Sequence, residues 1–406
     1  MRHTLKVILA AACSMTLVHT VMASPPSHTL YRITLLDPAS SGNSINDFGL
    51  VAGSRTLPNN TLHATVWAFG RRLDLGTLGK GSSLNSTVQW PAKNNLGLVS
   101  GLSLTDQPDP NREGWSCSAF LPNPTLRQCL GFVWDPLTAT MHSLGPLPGG
   151  TNSFATGTND LGETVGWAEN GVEDSSCVAP QVLQFRPVVW GPGGGRIHEL
   201  PVLETDSSGK PTGDTTGAAT AVNDRGQIVG ITGACGIAVG GVSARHAVIW
   251  ENGGVEEIVN PNGALYWNTP MMITRRGDVV GFAGVPDDPA GNLTPPFMWT
   301  RQGGWQWIPL PLITVAGVTK QDIAGVATSI NSRRQVVGYS NDSAPHFHAW
   351  IWQNGVTRNL NDLVEPGSLP HDSIELAFDI NERGEITGAT TSGQAFLAIP
   401  IHDDGE

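Results

Sequence analysis

The stretch Ala221-Val222-Asn223-Asp224-Arg225-Gly226-Gln227-Ile228-Val229-Gly230 decides the fold of this chain. Two apolar runs, each of strand length, flank the four residues Asn-Asp-Arg-Gly. An asparagine at the first turn position bonds its own backbone, and a glycine at the fourth position takes up a positive φ, as in a type I hairpin turn. The stretch therefore predicts two antiparallel strands joined by a tight turn.

The chain carries seven copies of this hairpin. The copies begin at Asn46, Asn94, Asn159, Asn223, Thr274, Asn331 and Asn381. Consecutive copies start 48 to 65 residues apart, a spacing that is typical of four-stranded propeller blades. Two copies depart from the pattern, because Thr274 replaces the asparagine and Arg334 replaces the final glycine.

Six repeats end their third strand with a tryptophan, and we interpret these side chains as core packed between blades. They are Trp67, Trp134, Trp190, Trp250, Trp299 and Trp352. The last repeat lacks a fourth strand, which residues 29–36 can supply by pairing with residues 393–400. The sequence thus predicts an all-β, seven-bladed β-propeller closed by its N-terminal strand. An open β solenoid, and rings of six or eight blades, remain alternatives.

The N-terminus has the pattern of a secretory signal peptide. Arg2 and Lys6 precede an apolar run, and the small residue Ala23 before Ser24 fits a cleavage site. We expect residues 1–23 to be removed, leaving residues 24–406 as a single propeller domain, secreted or periplasmic, without a membrane span. Lipoprotein anchoring at Cys13 is the minor alternative.

Charge and cysteine content narrow the function. With 23 Lys+Arg against 35 Asp+Glu, the formal net charge is −12, which disfavours nucleic acid as a partner.

Four cysteines remain after signal cleavage: Cys117, Cys129, Cys177 and Cys235. An even number in an exported protein predicts two disulfides with three possible pairings. Their positions in long connections favour Cys117 with Cys129 inside one loop, and Cys177 with Cys235 between neighbouring blades.

Blade geometry separates two faces. The short turns that join strands one to two and three to four lie on one side, which we call the short-turn face. The long connections lie on the other side, the long-loop face. These connections are residues 102–129, 168–185, 201–217, 231–245, 284–296 and 310–326. The non-repeating aromatics Trp90, Trp115, Tyr266 and Trp267 lie in or beside them, and we predict that they stack on sugars or apolar ligands.

The repeats resemble the HAF family of probable extracellular repeats found in bacteria. The family pattern appears in the first repeat as Ile45, Asn46, Gly49, His63, Ala64, Trp67 and the run 73–79, Leu-Asp-Leu-Gly-Thr-Leu-Gly. The likeness covers roughly residues 29–400, although the histidine recurs only at His246 and His348. It implies an exported repeat protein. The family carries no established activity, so no catalytic residue is assigned from it.

Candidate chemistry is sparse. His63, His246 and His348 belong to separate blades, which favours structural roles, and we expect no metal and no cofactor; the pair His346 and His348 is a minor metal alternative. No nucleophile elbow, zinc motif, phosphate loop or calcium repeat is present, so no catalytic residue is predicted. The long-loop carboxylates are interpreted as solvated charges, although glycosidases need only two carboxyls roughly 5 to 10 Å apart. They are Asp106, Asp109, Asp174, Asp206, Asp287, Asp288 and Asp322.

We therefore expect an exported binding or interaction module that uses its long-loop face. Its partner would be an unknown extracellular ligand, a glycan or a protein. The alternative is a carbohydrate-active hydrolase or lyase with its site at the mouth of the central channel.

Overall fold

The computed structural model describes residues 29–91, 94–113, 115–235, 245–264, 267–286, 288, 293–315, 317–342 and 346–401. The expected signal peptide with Cys13 lies outside the described residues. So do Tyr266, Asp287 and the side chain of Trp115.

Seven antiparallel sheets of four strands each form the blades of the propeller. The chain begins with β1 (Leu30–Pro38), which belongs to blade 7. Blade 1 contains β2 (Ser40–Ile45), β3 (Val51–Thr56), β4 (Leu62–Ala68) and β5 (Arg71–Asp74). Blade 2 contains β6 (Ser86–Thr87), β7 (Val99–Pro108), β8 (Arg127–Asp135) and β9 (Thr140–Leu144). Blade 3 contains β10 (Ser153–Thr158), β11 (Thr164–Glu173), β12 (Leu183–Trp190) and β13 (Ile197–Glu199).

The second half of the chain continues in the same order. Blade 4 contains β14 (Thr216–Val222), β15 (Ile228–Gly233), β16 (His246–Glu251) and β17 (Gly254–Glu257). Blade 5 contains β18 (Thr269–Ile273), β19 (Val279–Phe282), β20 (Pro296–Thr300) and β21 (Gly304–Trp307). A hairpin of β22 (Leu312–Val315) and β23 (Val318–Gln321) follows. Blade 6 contains β24 (Ala324–Ile330), β25 (Val336–Asn341), β26 (Phe347–Gln353) and β27 (Val356–Asn359). Blade 7 contains β28 (Ile374–Ile380), β29 (Ile386–Thr390), β30 (Gln394–Ile401) and β1.

Two single helical turns lie wholly within the described residues. The first, α1 (Trp115–Ser118), lies between β7 and β8, and a 3-10 turn at Leu360–Leu363 leads into blade 7. No helix in the described part of the chain is both long enough and apolar enough to cross a membrane.

The N-terminal strand closes the ring, as predicted. β1 pairs antiparallel with β30, with Leu30 opposite Ile401 and Ile33 opposite Ala398. Ile33 is buried, whereas Leu35 stays 40% exposed beside a shift in the strand register. This pairing removes the free edges that an open array of strands would present. The closed seven-bladed architecture is thereby confirmed.

The repeated tryptophans pack between blades. Five of the six are buried, with exposed fractions from 1% to 6%, and Trp299 packs partly buried against the core. The indole N–H of Trp190 donates to the carbonyl of Gly145 at 2.9 Å, and that of Trp250 to the carbonyl of Pro201 at 2.7 Å. Both carbonyls belong to the connection that enters the same blade, so each tryptophan fixes its blade against the preceding one.

The turn asparagines also join neighbouring blades. Asn223 Oδ1 accepts the backbone N–H groups of Arg225 and Gln227 at 3.0 and 3.1 Å, as the turn prediction requires. Asn223 Nδ2 donates across the blade junction to the carbonyl of Thr274 at 2.9 Å. The same bond to the next blade recurs from Asn46, Asn94, Asn159, Asn331 and Asn381. The asparagine therefore also links neighbouring blades by a hydrogen bond, a role that the turn chemistry alone did not predict.

The junction of blades 5 and 6 is held differently. Thr274 accepts the backbone N–H of Asp278 through Oγ1 at 3.1 Å, but it has no amide to donate to blade 6. At this junction Arg334 of blade 6 donates from Nε and Nη2 to the Asp278 carboxylate, at 2.8 and 3.2 Å. Arg334 holds the glycine position of its turn with φ 56°. The two departures from the repeat thus meet, and an ion pair takes the place of the missing amide bond.

Candidate binding site on the long-loop face

Trp90 belongs to a packed aromatic cluster at the junction of blades 2 and 3. Its ring centroid lies 5.1 Å from that of Phe120, 5.7 Å from Phe154 and 6.0 Å from Trp167. Phe154 and Trp167 stack with centroids 4.0 Å apart and are buried. Trp90 and Phe120 are only partly buried. Within the described residues neither Trp90 Nε1 nor Trp167 Nε1 has a hydrogen-bond partner. Trp90 is therefore the partly exposed edge of a packed cluster, and not a free aromatic platform.

Trp267 lies across the ring, in the connection from β17 to β18. Its backbone has φ 60°, and its ring is 5.7 Å from that of Phe282. A large residue in the left-handed region is strained, and such strain collects at ligand sites. Because blades 2 and 5 stand on opposite sides of the ring, the structure does not bring Trp90 and Trp267 together. They mark two separate points of the long-loop face.

Two disulfides staple the long connections between these points, with the predicted pairings. Cys117–Cys129 ties α1 to β8, and Cys177–Cys235 ties the connection of blade 3 to that of blade 4. The backbone N–H of Cys235 also donates to Ser176 Oγ at 3.0 Å. We call the connections at residues 109–126, 174–182 and 234–235 the stapled sector.

A buried pair of carboxyl groups braces the stapled sector. Glu113 Oε1 accepts the backbone N–H groups of Val182 and Leu183 at 3.0 and 2.6 Å, which ties the blade 2 connection to blade 3. The Glu113 carboxyl lies near that of Glu169, and both residues are buried. The pKa of Glu113 is raised to about 8. Burial is the main cause, and the charge of Glu169 adds to it. The pair of carboxyl groups therefore retains a proton at neutral pH.

Further bonds complete this brace. Glu169 Oε2 accepts the backbone N–H of Asn152 at 2.8 Å, and Glu169 Oε1 accepts from Gln181 Nε2 at 3.1 Å. Asp109 accepts the backbone N–H of Glu113 at 3.0 Å. Asp109 is only 2% exposed, so its interpretation as a solvated charge is wrong; the connection folds over it and supplies its donors. Because the whole network is enclosed, it holds the loops and does not face a substrate.

The three repeated histidines have structural partners, as expected. His63 pairs with Asp74 at 2.8 Å, His246 with Asp214 at 2.7 Å and His348 with Asp322 at 3.0 Å. Asp322 also accepts from Ser340 Oγ, and it is buried rather than solvated. This hydroxyl bonds the carboxylate and not the imidazole, so His348 does not activate it as a nucleophile. The described residues hold no group of three or more His, Cys, Asp or Glu side chains that could bind a metal ion.

Three further long-loop carboxylates accept hydrogen bonds from their own or a neighbouring connection. Asp106 accepts the backbone N–H of Lys80 at 2.8 Å, and Asp174 accepts from Ser176 Oγ at 2.7 Å. Asp206 likewise accepts the N–H of Ser208 at 2.9 Å. Asp174 also accepts from Thr215 Oγ1 of the next connection at 2.9 Å. Among the described residues, Asp106, Asp174 and Asp206 share no hydrogen-bond donor.

Comparisons with known proteins bear on the fold alone. No family model and no curated protein matches the chain. An oligogalacturonate lyase in complex with manganese is similar, with a TM-score of 0.51, 9% identity, and coverage of 91% of this chain and 93% of that chain. An acylaminoacyl peptidase from Pyrococcus horikoshii has a TM-score of 0.46 and 12% identity; 91% of this chain matches only 51% of that protein. The protein U3-55K has a TM-score of 0.46, 12% identity, and coverage of 91% and 98%.

These three proteins differ in what their names describe, and the identities are too low to carry more than architecture. The similarity with the oligogalacturonate lyase, which has the highest TM-score of the three, agrees with the propeller described above.

Proposed function

We propose that this chain is an exported β-propeller that acts as a binding module through its long-loop face. The observation that carries the proposal is the stapled sector. Its disulfides and its Glu113–Glu169 pair cross-brace connections that take no part in the hydrogen-bonded sheets. Loops held in advance lose less conformational entropy when a ligand binds, so bracing of this kind suits a preformed binding surface.

A glycan is the ligand class that the partly exposed aromatics of the long-loop face favour. The partly exposed ring of Trp90 borders the stapled sector, and the strained Trp267 lies across the channel mouth. Aromatic faces pack against the apolar faces of sugar rings while polar tips stay hydrated. Secretion or export to the periplasm is supported by the disulfides and by the resemblance to HAF repeats.

Glycan-array binding by the disulfide-intact protein, residues 24–406, tests the proposal. We expect one or more glycans to bind, and Trp267→Ala to weaken binding by about tenfold, the loss of one stacking contact. Phe69→Ser is the matched control, because Phe69 is an aromatic residue 92% exposed on the opposite face.

Each array ligand would then be incubated with the protein and analysed for cleavage. Turnover would overturn the proposal in favour of the hydrolase or lyase alternative. Equal loss of binding in Phe69→Ser and Trp267→Ala would show that the long-loop face is not the binding surface.

A further inference from the structure

The third residue of the first turn in each blade divides the short-turn face into two halves. In blades 1 to 3 this residue is apolar: Phe48, Leu96 and Leu161. In blades 4 to 7 it is an arginine: Arg225, Arg276, Arg333 and Arg383. All seven side chains are exposed. The turn itself needs neither residue type at this position, so folding does not account for the division.

The apolar half continues onto the second turns of blades 1 and 2. Phe69 is 92% exposed and Leu137 is 93% exposed at the tips of these turns, and Phe48, Leu96 and Leu161 are 59% to 65% exposed. A groove of about 410 Å³ opens beside Phe69, lined in part by Leu35, Trp67 and Leu397. Clustered apolar tips of this exposure are uncommon on a free surface and mark interaction sites. The groove is of a size to seat an anchoring side chain from a partner.

The other half of the face is basic, in a chain whose net charge is −12. The short turns of blades 4 to 7 contain seven arginines and no lysine: Arg225, Arg275, Arg276, Arg301, Arg333, Arg334 and Arg383. They contain five carboxylates: Asp224, Glu251, Asp278, Glu382 and Glu385. Four of the arginines are ion-paired within the face: Arg275, Arg301, Arg334 and Arg383. Arg225, Arg276 and Arg333 make no ion pair with any described residue. Their guanidinium groups are therefore available to an outside acceptor.

Charge complementarity indicates which kind of partner the short-turn face binds. Arginine binds carboxylates through a planar fork and is enriched in protein interfaces, where lysine is depleted. A strongly acidic protein is repelled by an anionic membrane. In a symmetric dimer of this chain, the arginine half of one copy would face either the arginine half or the apolar half of the other copy, and neither arrangement pairs opposite charges. We propose that the short-turn face docks a partner protein whose contact surface sets aspartate and glutamate beside large apolar side chains.

A phage-displayed library of random peptides, panned against the disulfide-intact protein, provides the probe. We expect the selected peptides to combine Asp or Glu with Leu, Phe or Trp. In fluorescence-anisotropy titrations, a selected peptide should lose at least about tenfold in affinity toward Arg225→Glu/Arg276→Glu/Arg333→Glu. It should lose a similar factor toward Phe69→Ser/Leu137→Ser.

The matched control makes the same charge change on the long-loop face: Lys80→Glu/Arg112→Glu/Lys210→Glu, at three exposed positions. Affinity should be unchanged in this variant. Failure to select acidic and apolar peptides would overturn the proposal, as would an equal loss of affinity in the control. Two further results would overturn the choice of a partner protein. One is binding to vesicles of phosphatidylcholine and phosphatidylglycerol that is lost in both short-turn variants. The other is a dimer of the free protein that dissociates in both variants.

Discussion

Replacing Arg334 by glycine should destabilise the protein, although six of the seven turns have glycine at this position. The substitution relieves a left-handed backbone, φ 56°, which gains about 1 kcal/mol. It also removes the two-bonded ion pair to Asp278, a residue only 5% exposed. Charge-assisted bonds contribute about 1.5 to 3 kcal/mol; we take about 2 kcal/mol for the ion pair, toward the lower end, because the Arg334 side chain is 51% exposed. The expected net loss is about 1 kcal/mol.

Two companion variants separate the opposing effects. Asp278→Ala removes the ion pair but leaves Arg334 in its strained conformation, so it should cost about 2 kcal/mol, more than Arg334→Gly. Thr274→Asn combined with Arg334→Gly supplies an amide that donates to the Asn331 carbonyl, as at the other six junctions. One neutral hydrogen bond contributes about 1 kcal/mol, so this double variant should return close to the wild-type stability.

Guanidinium chloride unfolding, followed by circular dichroism, measures these differences as midpoint shifts at constant m-value. A double-mutant cycle over positions 274 and 334 then isolates the coupling between them. The reasoning would be refuted if Arg334→Gly matched or exceeded the wild-type stability. It would also be refuted if Thr274→Asn gave no recovery in the Arg334→Gly background.

Three other perturbations have defined outcomes. Because burial raises the pKa of Glu113 from 4.5 to about 8, the folded state binds this proton more strongly, and stability should fall as pH rises across that window. Between pH 5 and 9 the free energy of unfolding should drop by on the order of 2 kcal/mol in the wild type, and by clearly less in Glu113→Gln. Cys177→Ser/Cys235→Ser opens a link that spans 58 residues, and should cost about 2 to 4 kcal/mol in denaturant unfolding; an unchanged midpoint would contradict a stabilising role. Ile33→Asp places a charge at a buried site of the closing strand and should cost about 3 kcal/mol or more, whereas Thr34→Asp on the exposed side of the same strand should be nearly neutral in the same assay.

Local chemistry made most of the fold predictable. The Asn-x-x-Gly turns define the repeat, and each depends only on residues within a few positions, as Asn223 and Gly226 show. The missing strand of blade 7 could be assigned because a closed ring has one place for it. The disulfide pairings followed from assigning each cysteine to a connection.

Contacts between distant segments were beyond that reasoning. The bond from Asn223 to Thr274, and the ion pair between Arg334 and Asp278, join residues 51 and 56 positions apart that meet only when the blades pack. The burial of Glu113 likewise depends on blade 3 folding beside the blade 2 connection. Trp90 was recognisable as a non-repeating aromatic, but its packing against Trp167 was not.

The third residue of each first turn carries a signal that turn chemistry does not account for. The turns recur as scaffold, yet their third residue changes from apolar to arginine after blade 3. Because that side chain is exposed in all seven turns, its identity is free to vary with function. The repeated motif therefore holds the ring together and also presents a divided surface.

Hydrogen-deuterium exchange, with a glycan identified on the array, tests the central claim most directly. If the long-loop face is the binding surface, the ligand should slow exchange in the stapled sector and around Trp267, while the short turns at residues 46–50 and 223–227 are unaffected. The ligand should also be recovered intact. Protection confined to the short turns, or a cleaved ligand, would contradict the account.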